Sequence, residues 1–160
     1  MEAGEPLRDV PPGPSESSGF LAQGTWRPSA VRHQRVDLPG GLRAPQSARR
    51  ALEEHFAAAI DRDMLASVEL LTTELVSNAV RHGGAGDDEV VILHLATAPG
   101  CLRVEVCDQG AGFQPGRPTP YGEGGYGLFL VSEVSSRWGV SHDDGNCAWF
   151  ELDLAATDGG

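Results

Sequence analysis

Long apolar runs are missing from this chain of 160 residues. No stretch of eighteen or more consecutive apolar residues occurs, so no membrane-spanning helix is expected. Cysteine is scarce, with only Cys101, Cys107 and Cys147. An odd number without CxxC spacing argues against a disulfide framework and suits a reducing compartment. Basic residues are few: 12 Lys and Arg stand against 23 Asp and Glu, which leaves a formal net charge of −11. Such a surface repels nucleic-acid backbones and anionic lipid, and this excludes both as main partners. The opening residues, Met1-Glu2-Ala3-Gly4-Glu5-Pro6, lack the basic and apolar regions of a secretion signal, so a cytoplasmic location is expected. What remains is ordinary for a globular domain. Hydrophobic residues make up 40% of the chain, and its length suits one domain with a sizeable core.

Residues 1–25 are rich in Pro, Gly, Ser and Glu and read as a disordered leader. Trp26 marks the expected start of a folded domain over 26–155, and 156–160 form a small polar tail. Val31 to Leu38 alternates loosely, as an edge strand does, and Pro39-Gly40-Gly41 turns the chain. Pro45 suits the first turn of a helix running to Ile60, with Ala48, Leu52, Phe56 and Ala59 at helical spacing. A second helix is expected from Met64 to His82. Its buried stripe is Leu65, Val68, Leu71, Leu75 and Ala79, and Gly83-Gly84 stops it. Glu89 to Thr97 reads as a buried strand. Pro99-Gly100 is a turn, and Cys101 to Cys107 alternates, with Leu102, Val104 and Val106 facing one way and Arg103 and Glu105 the other. Residues 109–125 form a long loop rich in glycine and proline, which in a compact domain is functional or mobile. Tyr126 to Arg137 is a third predicted helix, and Trp138 to His142 and Cys147 to Leu154 are closing strands. Trp138 and Trp149 are expected to be core aromatics. No internal repeat is present.

Three constellations carry chemistry. The first is Glu74-Leu75-Val76-Ser77-Asn78-Ala79-Val80-Arg81-His82-Gly83 at the end of the second helix. Glu74 and Asn78 are four residues apart, so they share a face, about 6 Å apart along the axis. Asn is a poor residue inside a helix because its amide competes for the backbone. A magnesium ion carrying phosphates, which takes oxygen ligands and keeps several waters, is a candidate reason for it. The second is Asp108-Gln109-Gly110-Ala111-Gly112. Asp108 continues the row of Leu102, Val104 and Val106 at the strand period, so its carboxylate points to the core side. It either caps the following turn or accepts the exocyclic amino group of an adenine base. The third is Gly122-Glu123-Gly124-Gly125-Tyr126-Gly127-Leu128, a glycine-rich turn opening a helix. That is either a surface loop or a phosphate site, since helix N-termini offer N–H groups and a favourable dipole to anions. It is neither a Walker A loop nor a Rossmann fingerprint. His33, His55, His94 and His142 show no metal-ligand spacing and read as structural.

The order of these motifs, from Val31 to Leu154, resembles the ATP-binding superfamily of DNA gyrase, histidine kinases and a class of chaperones, the GHKL or Bergerat fold. Within it, Asn78-Ala79-Val80-Arg81-His82-Gly83 and the stretch from Gly125 to Val140 look like small bacterial anti-sigma-factor serine/threonine kinases. The resemblance implies an α/β (α+β) two-layer sandwich, with a mixed, mostly antiparallel sheet and three helices on one face. It implies ATP and Mg2+ as cofactors. Asn78 would bind the metal, Glu74 would act as general base toward a serine or threonine hydroxyl, and Asp108 would recognise adenine. Gly110 and Gly112 would make room for the nucleotide, and Gly124, Gly125 and Gly127 would shape a lid. Expected partners are a sigma factor, an antagonist protein that receives the phosphate, or both, with a homodimer as the assembly. The sequence departs from the family pattern in two places. Cys147-Ala148 stands where relatives carry Thr or Ser, so the hydrogen bond supporting the adenine Asp is expected to be lost or replaced by water. Tyr126 stands where the lid often carries Arg. The alternatives are a catalytically weak ATP-binding module that sequesters a partner, and the catalytic half of a split histidine kinase. The short lid and the lack of a phosphoacceptor helix disfavour the latter.

Overall fold

A computed structural model describes residues 32–82, 89–108, 126–141 and 145–155. The elements are β1 (Arg32–Pro39), a short 3-10 turn (Gly41–Arg43), α1 (Ala44–Phe56), α2 (Arg62–His82), β2 (Val90–Ala98), β3 (Cys101–Asp108), α3 (Tyr126–Val134), β4 (Arg137–Ser141) and β5 (Asn146–Asp153). The sheet order is β1-β2-β3-β5-β4. All its described pairings are antiparallel, so the parallel component expected of a mixed sheet is not among them. The two-layer architecture stands, with helices on one face. No described helix is long and apolar enough to cross a membrane.

Local chemistry explains the boundaries. Pro45 sits in the first turn of α1, where its missing N–H is no loss. Asp61 caps α2 by accepting a hydrogen bond from the Met64 backbone N–H at 2.8 Å, which satisfies one of the donors a helix start leaves over. Between β2 and β3 only Pro99 and Gly100 intervene, because Ala98 pairs with Cys101. Gly100 has φ +79°, which an L side chain rarely adopts, so glycine is required by conformation although there is open space around it. α3 is shorter than its sequence pattern suggests. The Ser135 N–H closes the helix on the Val131 carbonyl, and the Ser136 N–H already bonds to the Glu151 carbonyl of β5. Arg137, expected at a helix end, therefore begins β4.

The core lies between the sheet and the helices. Leu52 and Phe56 of α1, Val68 and Leu71 of α2, Leu95 of β2 and Phe150 of β5 are among its fully buried side chains. The alternation of β3 sends Leu102, Val104, Val106 and Asp108 to this face. The other face carries Cys101, Arg103, Glu105 and Cys107, and no described helix packs on it.

That outer face corrects two expectations. Cys107 and Cys147 are directly opposite each other on β3 and β5 and are joined by a disulfide. The pattern argument failed because the two are 40 residues apart and only strand register brings them together. Trp149 is buried, but on the outer face. Its ring lies 4.2 Å from the Arg103 guanidinium carbon. A Cβ added to Gly139 of β4 would meet the same ring at 2.7 Å, so the glycine lets the indole lie flat on the sheet. Trp138 is half-buried and packs on the helix-side core, as expected.

Candidate nucleotide site

α2 packs on β3, on the helix side of the sheet. Asn78 is 6% exposed, and its Nδ2 has no hydrogen-bond partner among the described residues. A buried donor left in that state costs about 1–3 kcal/mol. Among the described residues it is a polar group that packing does not employ. Glu74, one turn earlier, is half-buried, and Arg81 is exposed at the helix end.

Asp108 ends β3 at 4% exposure, on the helix side as the strand period requires. Asn146 is its direct partner on β5 and donates from Nδ2 to Asp108 Oδ1 at 3.3 Å. The supporting hydrogen bond thought missing at Cys147-Ala148 is thus supplied one residue earlier. The sequence signal was present, an amide at the start of the last strand. It could be read only once β3 and β5 were in register. Gly127 lies in the first turn of α3. Gly110, Gly112, Gly124 and Gly125, with the rest of the loop expected to form the lid, lie outside the described residues.

The two sides of the sheet treat charge differently. On the helix side, His55 of α1 bonds through Nδ1 to Gln34 Oε1 at 2.9 Å. Burial, with the Arg32 and His33 charges, lowers its pKa from the ordinary value. On the outer side, Arg103 is 2% exposed. It bonds to Glu151 at 3.0 Å and to Glu105 at 3.1 Å. Arg137 extends the network at 2.6 Å to both Glu151 and Asp153, and these carboxylates raise its pKa. Burial pushes Glu105 up despite Arg103. Burial, then the His33 and Arg35 charges, brings His94 down to about 4. Burial also raises the Cys101 thiol to about 11, so it stays protonated and inert near neutrality.

A buried carboxylate at a strand end suits a purine base, and a buried carboxamide on a helix suits a phosphate-bound cation. Asn78 offers a carboxamide oxygen, the ligand type magnesium takes, and an Nδ2 donor for a phosphate oxygen.

Residues 39–152 match the family described as the histidine kinase-like ATPase domain. No curated protein matches this chain. Among solved structures, the crystal structure of the RsbU and RsbW domains of Rv1364c from Mycobacterium tuberculosis is similar, with a TM-score of 0.59 and 24% identity. The alignment covers 77% of this chain and 32% of that one, so this chain spans about a third of its length. At that identity the likeness concerns the fold. The family match runs from the end of β1 into β5, across more than half of the sequence, and on that ground the chain belongs to the histidine kinase-like ATPase domain family.

Proposed function

We propose that this chain binds ATP with magnesium on the helix side of the sheet and acts as a regulatory serine/threonine protein kinase of the anti-sigma-factor type. It transfers phosphate to an antagonist protein and alternately sequesters a sigma factor. The observations that carry the reading are the buried Asn78 amide, whose Nδ2 has no partner among the described residues, and the buried Asp108 carboxylate braced by Asn146. Family membership supports the nucleotide, and the Asn78 to Gly83 motif supports the kinase class.

The roles follow from the chemistry of each group. Asp108 accepts the adenine amino group, and Asn146 holds the carboxylate in place for it. Asn78 would hold the magnesium, which would supply charge neutralisation at the phosphates. Glu74, half-exposed one turn earlier, accepts the proton of the attacking hydroxyl. Phosphoryl transfer depends on such positioning and charge neutralisation more than on covalent help. Gly110, Gly112, Gly124, Gly125 and Gly127 are the residues proposed to let the backbone approach the phosphates. A cytoplasmic site of action and homodimerisation belong to the same reading.

Calorimetry and radiolabel transfer test it together. Asp108→Asn should abolish ATP binding, and unchanged affinity contradicts the adenine role. Glu74→Ala should spare binding and remove transfer to the antagonist, whereas transfer at the wild-type rate eliminates it as base. Tight ATP binding without transfer by the wild-type chain to its true partner points instead to a module that uses nucleotide only to set its conformation.

A further inference from the structure

The outer face holds a second constellation, independent of the nucleotide site. β2 and β3 place His94 directly opposite Glu105 and Ile92 opposite Cys107. A ring nitrogen of His94, a carboxylate oxygen of Glu105 and the Cys107 sulfur lie within 4.8 Å of one another. Cys147 brings a second sulfur to the same corner from β5. An imidazole, a carboxylate and two thiolates are donors that tetrahedral zinc accepts. Bonds of about 2.0–2.3 Å put neighbouring ligand atoms roughly 3.3–3.8 Å apart. The donors of His94, Glu105 and Cys107 lie near that spacing, and Cys147 adjoins them through the Cys107 sulfur to which it is bonded.

The surroundings already orient these ligands. Arg103 holds one Glu105 oxygen at 3.1 Å, while the other lies 3.5 Å from the Cys107 sulfur. Nδ1 of His94 is 3.1 Å from Nε2 of His33. Outer partners of this kind fix the direction of metal ligands and sharpen affinity. The nearby Arg103 charge is balanced by Glu151 at 3.0 Å. Cys101 faces the same way but stands six residues back along β3, about 20 Å distant by strand rise, and takes no part.

The sulfurs of Cys107 and Cys147 are bonded to each other here, and a disulfide offers no thiolate. We propose that Cys107, Cys147, His94 and Glu105 form a redox-gated site for a divalent cation of the zinc class, closed as a disulfide and opened by reduction. A dithiol reductant supplies two electrons and two protons to the S–S bond and itself becomes a disulfide. The two thiols formed release their protons to solvent as the metal binds. Either state ties β3 to β5 at the same rung, so the sheet keeps its register through the exchange.

Cobalt(II) titration of the full-length, metal-stripped chain tests this. One portion is oxidised; the other is reduced by a dithiol, which is then removed without air. The reduced wild type should bind one cobalt with thiolate-to-metal charge-transfer absorption, and zinc should displace it. The oxidised chain should show no such band. His94→Gln should weaken cobalt at least about tenfold, and Cys101→Ser should bind as wild type. Far-UV circular dichroism checks that each variant is folded, and the oxidised-against-reduced comparison needs no variant. A reduced wild type without the charge-transfer band, equal binding by both portions, or wild-type affinity in folded His94→Gln overturns the proposal.

Discussion

The two faces of this sheet are held by opposite means. Toward the helices the sheet buries Val, Leu and Phe, and stability there comes from removing apolar surface from water. Away from them it buries an Arg-Glu ladder, a tryptophan and a disulfide, which are specific, directional and covalent contacts. The difference teaches where change is tolerated. An apolar layer loses stability in proportion to the atoms deleted, whereas a charge ladder fails abruptly when one member is removed and hardly at all when all are replaced together.

Phe150→Ala on the inner face and Arg103→Ala on the outer face should each cost about 3–5 kcal/mol in urea unfolding, for different reasons. Phe150→Ala leaves a cavity. Arg103→Ala leaves Glu105 a buried carboxylate without its cation and Glu151 with Arg137 alone. The comparison sharpens in a triple variant that replaces Arg103, Glu105 and Glu151 with apolar residues of similar volume. This should recover stability to near wild type or above. A triple variant as unstable as Arg103→Ala breaks the distinction.

Next in size is the disulfide. Reduction in the presence of a chelator, which keeps metal from substituting, should lower stability by about 2–4 kcal/mol. Gly139→Ala should cost about 1–3 kcal/mol, because Trp149 must leave its place over the sheet. Near-ultraviolet circular dichroism should show the tryptophan signal change with it. An unaltered signal means the indole does not depend on the glycine.

The smallest effect concerns acid on the inner face. The folded chain keeps His55 below its unfolded pKa of about 6.5. As pH falls below that value the unfolded chain takes up a proton that the folded chain refuses, so stability declines until the folded pKa is passed. His55→Gln should flatten this part of the stability profile. A profile identical to wild type removes His55 as its source.

Much of this was legible in the sequence. Period-two alternation placed Asp108 on the core side, and helical spacing found α1 and α2, because one face of each is apolar and the other polar. The rest depends on which strands lie side by side, and spacing along the chain does not carry that. The disulfide, the Asn146 brace on Asp108 and the meeting of His94 with Glu105 all arise from register between segments distant in sequence. Trp149 resembled a core residue because burial and aromaticity are the same on either face. Arg137 looked helical because it follows an apolar helical run, yet β5 captures the backbone at Ser136 first.

The place of β1 at one end of the described sheet has a consequence for behaviour in a crowded cell. An outermost strand presents unused amide and carbonyl groups that another polypeptide could zip onto. Here the border strand carries charges at Arg32, Arg35 and Asp37, and it finishes at Pro39, which has no amide hydrogen to offer. Among the described residues such a margin is a poor template for runaway strand addition.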